Sequence, residues 1–201
     1  SITTKSELIL RDADLLRQLA ARNALHVNFT VTTVNPRLAR LLEPRAPAPA
    51  LRLEAVSKLA EAGVAAGVFI APVLPGITDR PEDLEAVVAA AARAGARYLC
   101  ADILRLMSCT RRRFFPFLEQ KFPRLLKQYR RWYARSGYAP AEYRKHIARL
   151  LRHLRQKYHL PGSPPENNRD NRTPSLACAS PTACTSQVFQ SCQQLVLPLS
   201  G

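Results

Sequence analysis

Polar side chains stand at the predicted ends of several β-strands in the first half of the chain. Such a set of cationic, carboxylate and hydroxyl groups can hold the carboxylate and ammonium of an amino-acid-like ligand, with hydroxyls left for a ribose. The carboxyl ends of parallel strands are where α/β sheets and barrels place their sites. The same residue types also occur as ordinary loop and cap residues, and spacing alone leaves that alternative open. The candidates are Thr4, Lys5, Thr30, Thr32, Thr33, Glu43, Arg45 and Arg52.

The elements that must position these side chains alternate between helix and strand. Ser6 is the predicted N-cap of a first helix, whose Leu8, Leu15, Leu16 and Leu19 recur at helical spacing. The alternation predicts right-handed βαβ units and a parallel sheet. Strands are predicted over residues 2–5, 26–33, 64–73 and 97–104, and helices over 7–23, 37–42, 50–62 and 79–94.

The positive charge is concentrated in one segment. Residues 1–104 contain 12 basic and 11 acidic side chains, residues 105–159 contain 16 and 2, and the rest contain 2 of each, so the net charge of +15 divides into +1, +14 and 0. A hydrophobic content of 47% excludes wholesale disorder. Together with the helix and strand patterns, this predicts an α/β part over 1–106, a basic helical extension over 107–159 and a disordered tail over 160–201.

The basic extension predicts two amphipathic helices, the first bent or split at Pro123 and the second from about Pro140 to Lys157. Like charges this close repel, so an acidic partner such as a phosphate backbone would relieve the repulsion. A solvated face over an apolar stripe and an anionic membrane surface are the alternatives. The residues predicted to contact nucleic acid are Arg111, Arg112, Arg113, Lys127, Arg130, Arg131, Lys145, Arg149 and Arg152.

The cysteines are scattered and show no zinc-site spacing. The sequence has no secretory signal, so we expect reduced thiols in a cytoplasmic protein. It also has no apolar stretch long enough to span a bilayer, so we expect no membrane segment. We expect the protein to be a monomer. Because the chain opens at Ser1, at the predicted end of a strand, we expect it to be part of a longer protein. The five cysteines are Cys100, Cys109, Cys178, Cys184 and Cys192.

Six short strings, in order, give the first part a specific resemblance. Together they resemble the second half of the radical S-adenosylmethionine core in spore photoproduct lyases and the related bacterial "DNA repair photolyase" proteins. The resemblance spans about residues 1–106 and implies an α/β fold, part of a (β/α)6 partial TIM-type barrel with about four parallel strands. The strings are TK at 4–5, FTVTT at 29–33, LEPRAP at 42–47, RLEA at 52–55, LAEAG at 59–63 and VFIAPVLPGITD at 68–79.

The resemblance also implies S-adenosylmethionine as cofactor and a set of residues that bind it. Lys5 is similar to a family lysine that reaches the methionyl or ribose part, and Thr30 occupies the position of a cofactor-contacting hydroxyl. Arg52 matches an arginine that pairs either with the cofactor carboxylate or with Glu43. Ala71 lies where the family's backbone meets the adenine, beside apolar packing. The implied cofactor-binding residues are Lys5, Thr30, Arg52, Ile70 and Ala71.

One part of the family pattern is absent from the sequence. The family's chemistry requires a Cys-x3-Cys-x2-Cys loop that gives three thiolates to a [4Fe–4S] cluster, which a donor such as flavodoxin or ferredoxin reduces. No such triplet occurs, and Cys178, Cys184 and Cys192 are separated by five and seven residues in the predicted tail. We therefore expect a fragment of a lyase-like radical enzyme that is not catalytically competent alone. Cys100, on the last strand, is either a core thiol or a group facing the barrel interior.

Two other functions stay open on the sequence. In one, the basic helices are the function, as a non-catalytic nucleic-acid-binding module, and the α/β part is a scaffold. In the other, the chain is a degenerate remnant without activity. The resemblance does not identify the substrate or the catalytic residues.

Overall fold

Four strands pair in sequence order to form a parallel sheet. They are β1 (Ile2–Thr4), β2 (His26–Thr30), β3 (Ala65–Val73) and β4 (Leu99–Ile103). The computed structural model describes residues 1–164. Each pair of neighbouring strands is parallel, and the register shifts between Ile70 and Val73 where β3 meets β4. The predicted α/β fold with four parallel strands is confirmed.

Helices cover one face of this sheet. The helices of the α/β part are α1 (Ala13–Arg22), α2 (Pro36–Leu42), α3 (Pro49–Glu61) and α4 (Pro81–Arg93). Proline stands in the first turn of α2, α3 and α4, where its missing N–H costs nothing. Gly63 and Gly95 follow α3 and α4 with φ of +77° and +72°, a conformation that glycine adopts without strain. These helices therefore end where the sequence predicted.

The buried core lies between the helices and one set of alternating strand residues. Val27 and Phe29 of β2 and Val68 and Ile70 of β3 pack in one cluster with Ala55, Val56 and Leu59 of α3 and Val87 and Val88 of α4. Since side chains alternate along a strand, the residues between them face the other side of the sheet. That second face carries Asn28, Thr30, Gly67, Phe69 and Cys100 in register on neighbouring strands.

The Tyr98 ring covers the part of the second face that contains Asn28 and Gly67. An ideal Cβ at Gly67 would overlap the Tyr98 ring, so only glycine fits beneath it. The ring lies edge-on to Phe69, and its hydroxyl donates a short hydrogen bond to Asn28 Oδ1. Burial raises the pKa of Tyr98. The close approach therefore joins β4 to the middle strands through one fully buried ring.

The first predicted helix is wrong in part. Ser6 caps it as expected, accepting a hydrogen bond from Leu8 N at 3.2 Å, but residues Glu7–Asp12 form a 3₁₀ helix and α1 begins only at Ala13. A 3₁₀ helix has three residues per turn, so Leu8 leaves the stripe that a continuous α-helix would give it. Leu16 is buried, whereas Leu8, Leu15 and Leu19 are 75%, 56% and 41% exposed.

The basic extension packs over the loops that follow the strands. Its helices are α5 (Ser108–Lys121), α6 (Leu126–Trp132) and α7 (Ala141–Lys157), and a 3₁₀ turn at Pro123–Leu125 splits the first predicted helix as expected. The aromatic residues Phe114, Phe117, Tyr129 and Tyr133 form a second core with Leu42, Leu74 and Leu104 from the α/β part. The two parts predicted to meet at residue 106 therefore share a core.

The last helix lies against the sheet edge formed by β4. Ile147, Leu151 and Leu154 of α7 join the core of the α/β part. Beyond α7, Leu160 is buried and the Pro161 carbonyl accepts a hydrogen bond from Leu99 N at 2.9 Å, so the start of the predicted tail has a defined place in the fold. The remainder of that tail, 165–201, lies outside the described residues. Between residues 1 and 164 no helix has the length and apolar character needed to cross a bilayer.

Candidate functional site

Glu43 joins two cations at the carboxyl ends of β1 and β2. Its Oε1 lies 2.7 Å from Lys5 Nζ, and its Oε2 lies 2.7 Å from Arg52 Nη1. The side chains of Glu43 and Arg52 are 3% and 1% exposed, whereas that of Lys5 is 24% exposed. Within residues 1–164 the buried Oε1 accepts no well-aligned hydrogen bond, so the nearby ammonium holds it by charge. Of the three side chains, that of Lys5 is therefore the most accessible to a ligand.

Arg52 is fixed by backbone carbonyls as well as by Glu43. Its Nε donates to the Pro47 carbonyl at 2.9 Å, and its Nη1 donates to the Thr30 carbonyl at 2.8 Å. A buried guanidinium must be paired and hydrogen-bonded to be tolerated, and Arg52 meets both conditions. Of the two roles considered for Arg52, pairing with Glu43 is the one observed. Arg52 therefore holds the loop before α3 against the end of β2.

The end of β2 is connected to the end of β3 by a threonine hydroxyl. Thr32 Oγ1 donates to the Ala71 carbonyl at 3.4 Å, and Val31 N donates to the Phe69 carbonyl at 2.8 Å, which continues the strand pairing beyond Thr30. Thr30 and Thr32 are each 4% exposed. Thr32 was one of the strand-end candidates, but the family resemblance did not single it out.

The structure brings together four of the five residues implied to bind the cofactor. Lys5 and Arg52 both pair with Glu43, and Arg52 also contacts the backbone carbonyl of Thr30. Ala71 is joined to the end of β2 through Thr32. Ile70 is fully buried in the helix-covered core, on the opposite face of β3 from Ala71. The Ile70 side chain is thus not part of this group, and only its backbone shares the strand end.

Cys100 lies on the same face of the sheet as Thr30. It is half-buried against Phe69 and Tyr98, and its Sγ donates to the Gly162 carbonyl at 3.0 Å. Across the described part of the chain, no three His, Cys, Asp or Glu side chains gather as metal ligands would. These residues therefore do not fit a [4Fe–4S] cluster, and the tail cysteines lie outside the described range.

Most of the predicted nucleic-acid-binding residues are exposed. Arg111 is the exception, because its guanidinium turns inward and donates a short hydrogen bond to the Tyr133 carbonyl. Its role is to fasten the start of α5 to the end of α6, so for this residue a structural contact replaces the predicted exposure. The exposed members are Arg112, Arg113, Lys127, Arg130, Arg131, Lys145, Arg149 and Arg152.

Few of these exposed cations have a carboxylate nearby. Lys145 pairs with Glu142 at 3.0 Å. No carboxylate in residues 1–164 lies within ion-pair distance of the other seven, Arg112, Arg113, Lys127, Arg130, Arg131, Arg149 and Arg152. Most of the positive charge on this surface is therefore not paired with a carboxylate of residues 1–164.

Three tyrosine hydroxyls attach the extension to the loops after β3 and β4. Tyr129 donates to the Pro75 carbonyl at 2.7 Å, Tyr133 to the Leu104 carbonyl at 3.0 Å, and Tyr143 to Asp79 Oδ2 at 2.8 Å. Burial raises the pKa of each hydroxyl. The sequence predicts amphipathic helices in the extension but not these hydrogen bonds, which depend on loops distant in sequence.

Solved structures of spore photoproduct lyase share this fold. One mutant form superposes with a TM-score of 0.56 at 20% identity, over 78% of this chain and 47% of that chain. Another, with bound AdoMet and dinucleoside spore photoproduct, gives a TM-score of 0.56 at 19% identity over the same shares. At this identity the likeness establishes the fold alone, a mixed α/β fold with a four-stranded parallel sheet.

Sequence relatives occur in bacteria, archaea and a virus of archaea. An uncharacterized protein of Mycobacterium tuberculosis is 34% identical over 170 residues, which is 83% of this chain and 50% of that protein. An uncharacterized protein of Methanocaldococcus jannaschii is 29% identical over 123 residues, and one of Acidianus two-tailed virus is 35% identical over 106 residues. The chain spans about half the length of the mycobacterial relatives that it matches. No protein-family model matches it.

Proposed function

We propose that this chain is the S-adenosylmethionine-binding part of a lyase-like radical enzyme. The observation that carries the proposal is the group of Lys5, Glu43 and Arg52 at the carboxyl ends of β1 and β2, in which Lys5 is half-buried and the other two are buried. An ammonium group at this position can form a charge-assisted hydrogen bond to a ligand carboxylate. The strand ends are also where α/β folds place ligands.

Each residue of the group has a distinct role in this proposal. The Lys5 ammonium binds the carboxylate of the methionyl part, and Thr30, on the second face, contacts the cofactor. Glu43 and Arg52 are positioning residues, because their charged atoms are buried in contact with each other. The backbone at Ala71, held by Thr32, borders the adenine.

When bound, S-adenosylmethionine would supply a sulfonium whose one-electron reduction breaks the sulfur–C5′ bond, giving methionine and a 5′-deoxyadenosyl radical. The residues that bind the iron–sulfur cluster are not among residues 1–164, so we assign no step of that reduction to them. The matched relatives are about twice as long as the aligned segment, which leaves space for such residues in a complete protein. An electron donor such as flavodoxin or ferredoxin would act on that complete protein.

Cofactor binding tests the proposal directly. Lys5→Ala removes a charge-assisted contact, so we expect S-adenosylmethionine to bind about 10-fold more weakly or worse, measured by isothermal titration calorimetry. Lys58→Ala is the matched control, because Lys58 forms an exposed ion pair with Glu54 on α3. If both variants bind the cofactor like the parent chain, Lys5 is not a ligand. If the parent chain shows no binding, the proposed function fails.

We further propose nucleic acid as the partner of the basic extension. The supporting observation is the set of seven exposed cations without a carboxylate partner in the described residues. One of the solved lyase structures contains a dinucleoside spore photoproduct, and the likeness of fold makes a nucleic-acid substrate a reasonable extension to this chain. Phosphate contacts by arginine release counterions, so such binding weakens steeply as salt is raised.

The salt dependence of oligonucleotide binding measures these contacts. Replacing Arg149 and Arg152 of α7 with Gln should reduce the slope of log affinity against log salt by about 2, since each phosphate contact contributes about one counterion. Arg22→Gln with Arg97→Gln is the control, because both are exposed in the α/β part. An equal loss in the two double variants would show a net-charge effect and contradict a binding face on α7.

A further inference from the structure

A cavity of about 410 Å³ lies between the last strand and α7. Ile147, Ala148 and Leu151 of α7 form an apolar wall, and the chain that leaves β4 forms the opposite side. Its volume is within the range of small-ligand sites. None of the residues proposed to bind S-adenosylmethionine lines this cavity, so it is a separate site.

An aromatic ring stands at the rim between two guanidinium groups. The ring centroid of Tyr138 is 5.8 Å from Arg105 Cζ and 5.9 Å from Arg144 Cζ, and Tyr138 is 46% exposed. These distances are typical of cation–π contacts. Both guanidinium groups lie over the ring, so a planar ligand group stacks on Tyr138 by taking the place of one of them. Arg144, the exposed one of the two, is then free to contact a negatively charged group of the same ligand.

The backbone fixes the position of this ring. Tyr138 and Arg105 form an isolated antiparallel bridge, and Leu106 N donates to the Gly137 carbonyl at 2.8 Å. A Cβ at Gly137 would stand 2.6 Å from Met107 Sδ, so the turn can approach this closely only with glycine. The strand-like pairing of the two segments therefore fixes the backbone from which the Tyr138 ring projects.

The rim carries more positive than negative charge. Asp102 Oδ2 lies 2.8 Å from Arg105 Nη2, which matches one cation with one carboxylate. Arg144 is exposed, and no carboxylate of residues 1–164 lies within ion-pair distance of it. Burial raises the pKa of Asp102, although the charge of Arg105 opposes that shift. The site thus has one excess positive charge, which an anionic ligand would neutralise.

We propose that this cavity binds one nucleotide of a single-stranded nucleic acid, with the base on the Tyr138 ring and its phosphate on Arg144. Base stacking on an exposed aromatic side chain is a common source of single-strand affinity. A base held in a duplex cannot reach such a cavity, because its faces are covered by its neighbours. The proposal rests on the proposed nucleic-acid partner, and it names the form of that partner and the residues that take the base.

The cavity also continues into the basic face of α7. Arg152 lies eight residues after Arg144 and so on the same side of the helix, about two turns further on. It is exposed, as is the intervening Ala148 at the cavity wall. A phosphate chain that leaves the nucleotide at Arg144 can therefore follow α7.

Fluorescence anisotropy with labelled oligothymidylate tests this site, because thymidine runs form no self-structure. Tyr138→Leu should weaken binding about 5-fold or more at every salt concentration, with the salt slope unchanged, since stacking involves no counterion. Tyr138→Phe keeps the ring and should bind like the parent chain. Arg144→Gln should weaken binding and reduce the salt slope by about 1. Thermal unfolding of each variant verifies that the fold is intact.

Two further measurements, with Arg149→Gln and with a duplex ligand, distinguish base binding in the cavity from phosphate binding along α7. Arg149 is a basic residue of α7 that does not line the cavity. If Tyr138→Leu binds like the parent chain while Arg144→Gln and Arg149→Gln weaken binding equally, no base enters the cavity, and the nucleic-acid face of the extension still stands. If Tyr138→Leu weakens duplex binding as much as single-strand binding, the proposed stacking is wrong. If the parent chain binds no oligothymidylate, the nucleic-acid function itself fails.

Discussion

Two regions of this chain, the strand ends around Glu43 and the outer face of α7, use arginine in opposite ways. At the ends of β1 and β2, Arg52 is buried, and its charge is satisfied by Glu43 and by two backbone carbonyls. In the extension, Arg149 and Arg152 are exposed, while the interior consists of aromatic and aliphatic side chains. The first arrangement makes charge part of the architecture, whereas the second leaves charge for a partner. Charge content alone does not distinguish these roles.

Removing the buried arginine should give the largest effect. In Arg52→Met, Glu43 keeps only its pair with Lys5, and two carbonyls lose their donors. Breaking a buried pair from one side costs about 3–5 kcal/mol, which we expect as the loss of unfolding free energy in urea. Arg149→Met should change it by less than about 0.5 kcal/mol, as for surface substitutions. A loss below about 1 kcal/mol for Arg52→Met would show that the ion-pair group is not structural.

Disturbing the close contact between Tyr98 and Gly67 of β3 should give the second-largest loss of stability. Gly67→Ala places a methyl group where the Tyr98 ring lies, and the ring is fully buried, so the strands or the ring must shift. Overpacking of this kind costs about 1–3 kcal/mol. Gly63→Ala is an informative contrast: no atom lies near the added Cβ, but φ is +77°, so its cost is conformational. Thermal unfolding of Gly67→Ala combined with Tyr98→Ala tests the cause, since the double variant should lose the clash.

Alkaline pH should lower the stability of the fold mainly through the buried tyrosines of the extension. Tyrosines of the unfolded chain titrate at about pH 10, whereas burial holds the pKa of Tyr129 and Tyr133 higher in the fold. Above pH 10 the unfolded state loses protons that the folded state keeps, so stability falls as pH rises, by up to about 1.4 kcal/mol per tyrosine and pH unit. Urea midpoints between pH 8 and pH 10.5 measure this fall.

A matched variant isolates the tyrosine contribution to that fall. Tyr133→Phe should be less stable at pH 8, because the Leu104 carbonyl loses its donor. It should also lose stability less steeply above pH 10, because one titrating group is gone. Parallel pH curves for the two proteins would mean that other groups, such as lysines, cause the alkaline effect.

The sequence predicted the elements of this fold better than their contacts. The parallel strands, the split at Pro123 and the glycine helix ends all follow from local patterns. The stripe of Leu8, Leu15 and Leu19 did not become a buried face, because a 3₁₀ turn and the limited contact of α1 with the sheet leave it exposed. Local periodicity indicates which residues can share a face, but the tertiary packing decides whether that face is covered.

Only those site residues that lie at the ends of neighbouring strands could be predicted to come together. Lys5 and Thr30 meet because parallel strands end at one edge, a consequence of the fold class. Tyr138 was noticed only as part of a turn, because its pairing with Arg105 joins segments 33 residues apart that show no common motif. The hydrogen bond of Arg111 to the Tyr133 carbonyl could not be predicted, because it follows from how α5 and α6 pack.

The Tyr98 ring limits how far a ligand on the second face of the sheet can extend toward the amino-terminal ends of the strands. Because it rests on the backbone of Gly67 and is anchored to Asn28, small molecules cannot reach the amino-terminal half of these strands from that side. In the proposed function, the cofactor therefore binds on the carboxyl-terminal side of Phe69. A variant library aimed at altering ligand preference should leave the residues under the Tyr98 ring unchanged and concentrate on the carboxyl ends of the strands.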